Sequence, residues 1–114
     1  MAAGPRIATG TVGAPPDVLY TRLLVSHRWP AGARGVVDQW EPALGPDPAL
    51  LDGADPAVRA ARYREALAAR AHLVQWAARM ALANGVTLLA ADDVEARTLD
   101  ILASAVREAA EALA

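Results

Sequence analysis

The chain contains no cysteine, no lysine and no phenylalanine, and aromatic residues make up only 4% of its 114 positions. Without cysteine there are no disulfides, thiolate nucleophiles or cysteine-ligated metals, and the chain suits a reducing compartment. Without lysine there is no Schiff-base chemistry. All 11 basic residues are arginine, set against 13 acidic ones, which leaves a net charge of −2 and a pI near 5.6. That balance lacks the clustered cation excess of a nucleic-acid footprint, so no nucleic-acid partner is expected. Long apolar runs are missing as well. The longest are interrupted by Asn84-Gly85 and Asp92-Asp93, too soon for a membrane span. The opening Met-Ala-Ala-Gly-Pro-Arg has no apolar signal core. A soluble cytoplasmic protein that makes no membrane contact is the expectation.

What is present is alanine. The hydrophobic share of 54% owes much to it, so the core is expected to combine aliphatic side chains with close-packed alanine faces, anchored by Trp29, Trp40 and Trp76. A chain of this length reads as one domain, residues 1–114, able to bury roughly two-thirds of its unfolded surface.

Arg6 to Val12 is β-prone and ends at Gly13, before the turn-forming Pro15-Pro16-Asp17. Leu19 to Ser26 is the strongest strand candidate, and its continuous end Leu23-Leu24-Val25 implies coverage on both faces. The link between these strands is too short for a crossover helix, which makes them antiparallel if they are neighbours. From Gly32 to Gly53 the chain is rich in Gly, Pro and Asp, with room only for short helical turns around Val36 to Trp40 and Ala49 to Asp52.

Asp55-Pro56 starts a helix, with Asp as N-cap and Pro in the first position, running to about Ala69. Ala71 to Ala83 follows on the stripe Leu73, Val74, Ala77, Met80 and Ala81, either as a second helix or as a kinked continuation. Asn84-Gly85 stops it as a left-handed cap. Val86 to Ala91 reads as another buried strand. Asp92, with Glu95 three residues on, opens the last helix, whose inner stripe is Val94, Thr98, Ile101, Leu102, Ala105 and Ala109. The order implies an α/β fold: a small mixed three-stranded sheet flanked by helices, with a parallel right-handed βαβ crossover between the Leu19 and Val86 strands.

The run Leu24-Val25-Ser26-His27-Arg28-Trp29-Pro30-Ala31-Gly32 is similar to the L-V-D-R-x-W-P-R-G signature of the YeaO-like proteins, a domain-of-unknown-function family. Asp38-Gln39-Trp40 with Leu44-Gly45-Pro46 resembles that family's D-x-W…L-A-P segment, Arg62-Tyr63 to Leu67 its R-Y-x-x-x-L helix, and Val86-Thr87-Leu88-Leu89 its V-T-L-L strand. The resemblance spans nearly the whole chain and implies a compact α/β domain. Departures fall at strand ends: Ser26, His27 and Ala31 replace Asp, Arg and Arg, and Ala96-Arg97 stands near where the family carries a histidine-asparagine pair.

Ligands of open α/β sheets sit beyond the carboxyl ends of the strands, which here carry Ser26-His27-Arg28 and Asp92-Asp93. A crevice between them would place His27 as an acid or base, Arg28 or Arg34 as an anion clamp, and Asp92 or Asp93 against a cation or hydroxyl, with Trp29-Pro30 at its border. The competing account is structural: Arg28 in an ion pair, Trp29-Pro30 as a plug, Asp92 as a helix cap.

Other chemistries fare worse. Ser26 and His27 are adjacent in an extended segment and face opposite ways, and there is no G-x-S-x-G elbow, so a Ser-His-Asp hydrolase is disfavoured. Two distant histidines, His27 and His72, lack metal-ligand spacing. Thr9-Gly10-Thr11-Val12-Gly13 does not lead into a helix and makes a poor phosphate cradle. No metal or cofactor is expected.

The leading expectation is a small-molecule-binding or accessory protein taking a small anionic ligand. The alternatives are an enzyme acting on a small anionic substrate, with His27 as acid or base and Arg28 as clamp, or a structural dimerisation module. Apolar residues Trp76, Leu82, Leu99 and Leu113, expected at the surface, point to a homodimer.

Overall fold

The computed structural model describes residues 4–51 and 55–113. Three strands come early: β1 (Ile7–Thr11), β2 (Thr21–Leu24) and β3 (Gln39–Trp40). Short 3-10 turns follow at Pro42–Leu44 and Pro48–Leu51, then α1 (Pro56–Ala68), α2 (Ala71–Ala83), β4 (Val86–Ala90), α3 (Asp93–Ala96) and α4 (Leu99–Leu113). The sheet has four strands in the order β1-β4-β2-β3, and every pairing is parallel.

This corrects the expected three-stranded mixed sheet. β1 and β2 are not neighbours, because β4 lies between them, with Ile7 beside Val86 on one side and Thr21 beside Val86 on the other. The nine residues 12–20 therefore carry the chain back to the start of β2 with no helix. The segment from Val36 to Trp40, expected as a helical turn, instead supplies β3 against Leu23 and Leu24. Asp38 fastens it, since its carboxylate accepts from the Arg22 amide at 2.8 Å while its own amide donates to the Arg22 carbonyl at 2.9 Å. The turn expected over Ala49 to Asp52 is the 3-10 turn Pro48–Leu51, and Asp52 lies outside the described residues.

All five residues of β4 are buried, as two-sided coverage requires. On one face Leu23, Val25, Val86, Leu88 and Ala90 pack against the helices, meeting Tyr63 and Leu67 of α1, Val74, Ala77, Ala78 and Ala81 of α2, and Leu102, Val106 and Ala110 of α4. The alanines serve as the composition implies, with Ala77, Ala78, Ala81 and Ala110 showing no exposed surface. On the other face, among the described residues, no helix covers the sheet. Leu24 and Leu89 are buried by Val12, Ala33, Val36 and Val37 from the connecting loops.

The helix starts and stops follow local chemistry. Asp55 accepts from the Ala57 amide at 2.8 Å, with Pro56 opening α1. α1 and α2 are separate helices, parted at Arg70, whose φ of −117° and ψ of 37° leave the helical region. Gly85 ends α2 at φ +89°, and a Cβ there would strike the Tyr20 ring. The last helix breaks in two, α3 and α4, around Arg97-Thr98, where the Thr98 hydroxyl donates to the Glu95 carbonyl at 2.8 Å. The break changes the helical phase. The buried stripe of α4 is Leu99, Leu102, Val106 and Ala110, while Ile101, Ala105 and Ala109 flank it and Val94 is exposed. Leu99, expected at the surface, is buried; Leu113 is exposed and Trp76 and Leu82 are half-buried against the core.

Candidate functional site

The chain leaving β2 passes to the loop-covered face, where Ala33, Val36 and Val37 lie under Leu24 and Leu89. The chain leaving β4 passes to the opposite face, where Leu99 and Leu102 join Leu23 and Leu88. Adjacent parallel strands whose continuations diverge in this way leave a crevice beyond their carboxyl ends. The crevice is present as a cleft of about 340 Å³ lined by Ser26, His27, Arg28, Pro46, Pro48, Asp92, Val94 and Glu95.

Its walls are set by backbone fit. Leu44-Gly45-Pro46 leans on the end of β2 so closely that a Cβ on Gly45 would lie 2.8 Å from the Val25 carbonyl oxygen and 3.0 Å from the Ser26 Cα. The buried Tyr63 of α1 holds this segment by donating its hydroxyl to the Leu44 carbonyl at 2.5 Å. Burial pushes the Tyr63 phenol well above its ordinary range, against a smaller opposing pull from Arg70. The Leu44-Gly45-Pro46 run and α1 thus meet here, and together they place Pro46 in the cleft.

Ser26 is fully buried, and its hydroxyl accepts from the Arg28 amide at 3.2 Å. Its carbonyl accepts from the Trp40 indole at 2.7 Å. Arg28 reaches across to the β4 end: Nη2 lies 2.6 Å from Asp92 Oδ2 and Nε lies 3.5 Å from Glu95 Oε2. Asp92 also caps α3, accepting from the Glu95 amide at 3.0 Å. That backbone hydrogen bond, with Arg28 adding to it, holds the Asp92 carboxyl below its usual range. Glu95 is only 7% exposed. Its carboxylate does not return a bond to the Asp92 amide as a full capping box would, and turns towards the cleft and Arg28 instead.

The structure therefore brings together Ser26, His27, Arg28 and Asp92, and His27 is exposed at the cleft. Trp29, Arg34 and Asp93 do not line it. Trp29 tilts against Trp40, with ring centroids 5.4 Å apart, and both rings are about half exposed (48% and 44%), which is not the packing of a buried plug. Arg34 is exposed on the loop covering the other sheet face, and Asp93 is exposed in the first turn of α3. Arg28, expected either as an anion clamp or in a structural ion pair, is engaged by two carboxylates. Ala31 and Arg97 are exposed, and Ala96 packs against the helix-side core.

Four further residues line the cleft that the sequence does not point to as site residues: Pro46, Pro48, Val94 and Glu95, the last expected only as a capping partner. The Leu44-Gly45-Pro46 run was the available signal. Among the described residues no three His, Cys, Asp or Glu side chains are placed to hold a metal, and no helix is long and apolar enough to cross a membrane. No family model, curated protein or solved structure matches the chain.

Proposed function

We propose that this is a YeaO-like small-molecule-binding protein whose site is the cleft beyond β2 and β4. The observation that carries the reading is the divergence of the two strand continuations to opposite faces, with polar groups from both strand ends converging on the space between them. A buried Ser26, a buried Glu95, and the Arg28–Asp92 pair give the cleft fixed hydrogen-bonding character, while Pro46, Pro48 and Val94 give it apolar walls. The test is a fragment screen by amide NMR. Binders are expected to shift the resonances of residues 26–28 and 92–95. Hits confined to the apolar groove between α1, α2 and α4, around Leu67, Val74 and Ile101, would refute it.

A second reading, an enzyme with His27 as acid or base, draws on the position of His27 in the same cleft. Turnover of any bound compound that disappears in His27→Ala while binding persists is its signature. Self-association belongs to the proposal as well, through the groove between the helices and the exposed Leu113 at the end of α4. Sedimentation that gives a monomer mass at every concentration would remove it.

A further inference from the structure

We propose that the Trp29–Trp40 pair is a binding platform for the face of an uncharged planar heterocycle, a nucleobase-like ring. Aromatic residues are scarce in this chain, yet two of its three tryptophans stand side by side at the surface. Neither lines the cleft. The platform is a site of its own and does not depend on the cleft being filled.

Fixed backbone holds the rings in place. The Trp40 indole donates to the Ser26 carbonyl at 2.7 Å, and the Glu41 amide beyond it donates to the Leu24 carbonyl at 3.0 Å. Trp29 stands between the Arg28 amide, bound to the Ser26 hydroxyl, and the buried Pro30, whose carbonyl accepts from the Ala33 amide at 3.2 Å. The two rings are tilted by 57°. A flat ring laid on one indole can therefore stack on it and meet the other edge-on, the two arrangements that aromatic rings prefer.

Size decides the class of partner. Two half-exposed indoles leave roughly 200 Å² of apolar surface in water, whereas a stable protein interface takes about 800 Å² from each partner. The exposed residues flanking them in sequence, His27, Arg28, Ala31, Gly32, Asp38 and Gln39, add no large apolar side chain. The patch suits one ring system, not a protein. The nearby charges are committed as well. Arg28 faces Asp92 and Glu95, the Asp38 carboxylate accepts from the Arg22 amide, and that of Glu41 accepts from the Ala43 amide. With its N–H also engaged, Trp40 offers its ring face alone. Stacking on such faces favours a planar ring over an ion, or over a sugar that needs an array of hydrogen bonds.

The experiment follows the three indole N–H signals of the full chain by NMR. Adenosine, adenosine monophosphate, methyl glucoside and tetramethylammonium are titrated at constant ionic strength. Adenosine should shift the Trp29 and Trp40 signals saturably and leave Trp76, which packs against the helix-side core, unmoved. Trp29→Ala should weaken binding about tenfold, and Trp29→Phe, which keeps a ring, should restore most of it. Melting curves check that both variants fold, and the wild-type indole pattern decides alone if one does not. Tighter binding of the sugar or the ammonium overturns the planar-ring assignment, and tighter binding of the monophosphate overturns the preference for an uncharged ligand. Equal shifts at all three indoles, no shift, or binding unchanged in Trp29→Ala overturns the platform. So do Trp29 and Trp40 signals that move with protein concentration in the absence of any probe, since a second copy of the chain then covers the rings. Fragment binding at residues 92–95 with silent indoles overturns the platform and leaves the cleft standing.

Discussion

Replacing Tyr63 with Phe removes one oxygen from the interior and leaves the Leu44 carbonyl without the donor that reaches it at 2.5 Å. The ring stays, so little apolar burial is lost, and the cost is that of an unsatisfied buried acceptor, about 2 kcal/mol. In a domain of this size that lowers Tm by roughly 10 °C. A second consequence separates this from a packing defect. The buried phenol stays protonated above its ordinary pKa of 10.0, whereas in the unfolded chain it ionises there. Above pH 10 the unfolded state thus binds one proton fewer than the folded state. The contribution of Tyr63 is complete below that value and declines as pH rises, with a limiting slope of about 1.4 kcal/mol per pH unit. Tyr63→Phe lacks this slope. Denaturation by urea at a series of pH values should therefore show the wild-type advantage constant to about pH 9 and gone about one and a half units above 10. Curves that run parallel through this window would refute the buried, protonated phenol and the clasp built on it.

Thr87 lies in the central strand with its hydroxyl buried and no partner among the described residues. Thr87→Val should raise stability by about 1 kcal/mol in urea titration. Gly45→Ala should cost about 1–3 kcal/mol, because its Cβ would press on the Val25 carbonyl and the Ser26 Cα, and should shift the Ser26 amide by NMR. Asp92→Ala should lose about 1 kcal/mol through the α3 cap. Since the Asp92 carboxyl is held below its ordinary value of 3.8, its contribution is present above that pH and is lost as pH falls further, so wild type and variant should converge in acid.

What was legible in the sequence was local. Asp55-Pro56 marks the start of α1, Gly85 the end of α2, and the apolar runs at Leu23 and Val86 mark two buried strands, because each signal is set by neighbours a few residues away. β3 was not legible. Gln39 and Trp40 are both exposed, so no burial pattern marks them, and what makes them a strand is pairing with β2. The place of β4 between β1 and β2 was hidden for the same reason, since pairing across most of the chain leaves no periodic trace. At the site, strand-end logic located Ser26, His27, Arg28 and Asp92. The same strand ends also allow Arg28 an ion pair, but do not show that Glu95 joins Asp92 as its partner, since that contact joins distant parts of the chain.

The lateness of β4 has a bearing on how this chain acquires its shape. Among the described residues β1 and β2 do not pair with each other: β1 finds its strand partner in residues 86–90, and β2, which has β3 on one edge, finds its other neighbour there too. As the chain emerges during synthesis, β1 must wait unpaired and β2 with one edge open while the helical segments α1 and α2 form on local contacts. A nascent chain stopped before Val86 carries helices and two open strand edges but no α/β domain. Such a chain is expected to be captured by chaperones or to aggregate through those edges. Arrival of β4 closes both gaps at once, so the β1-β4-β2 part of the sheet should form in a single late step.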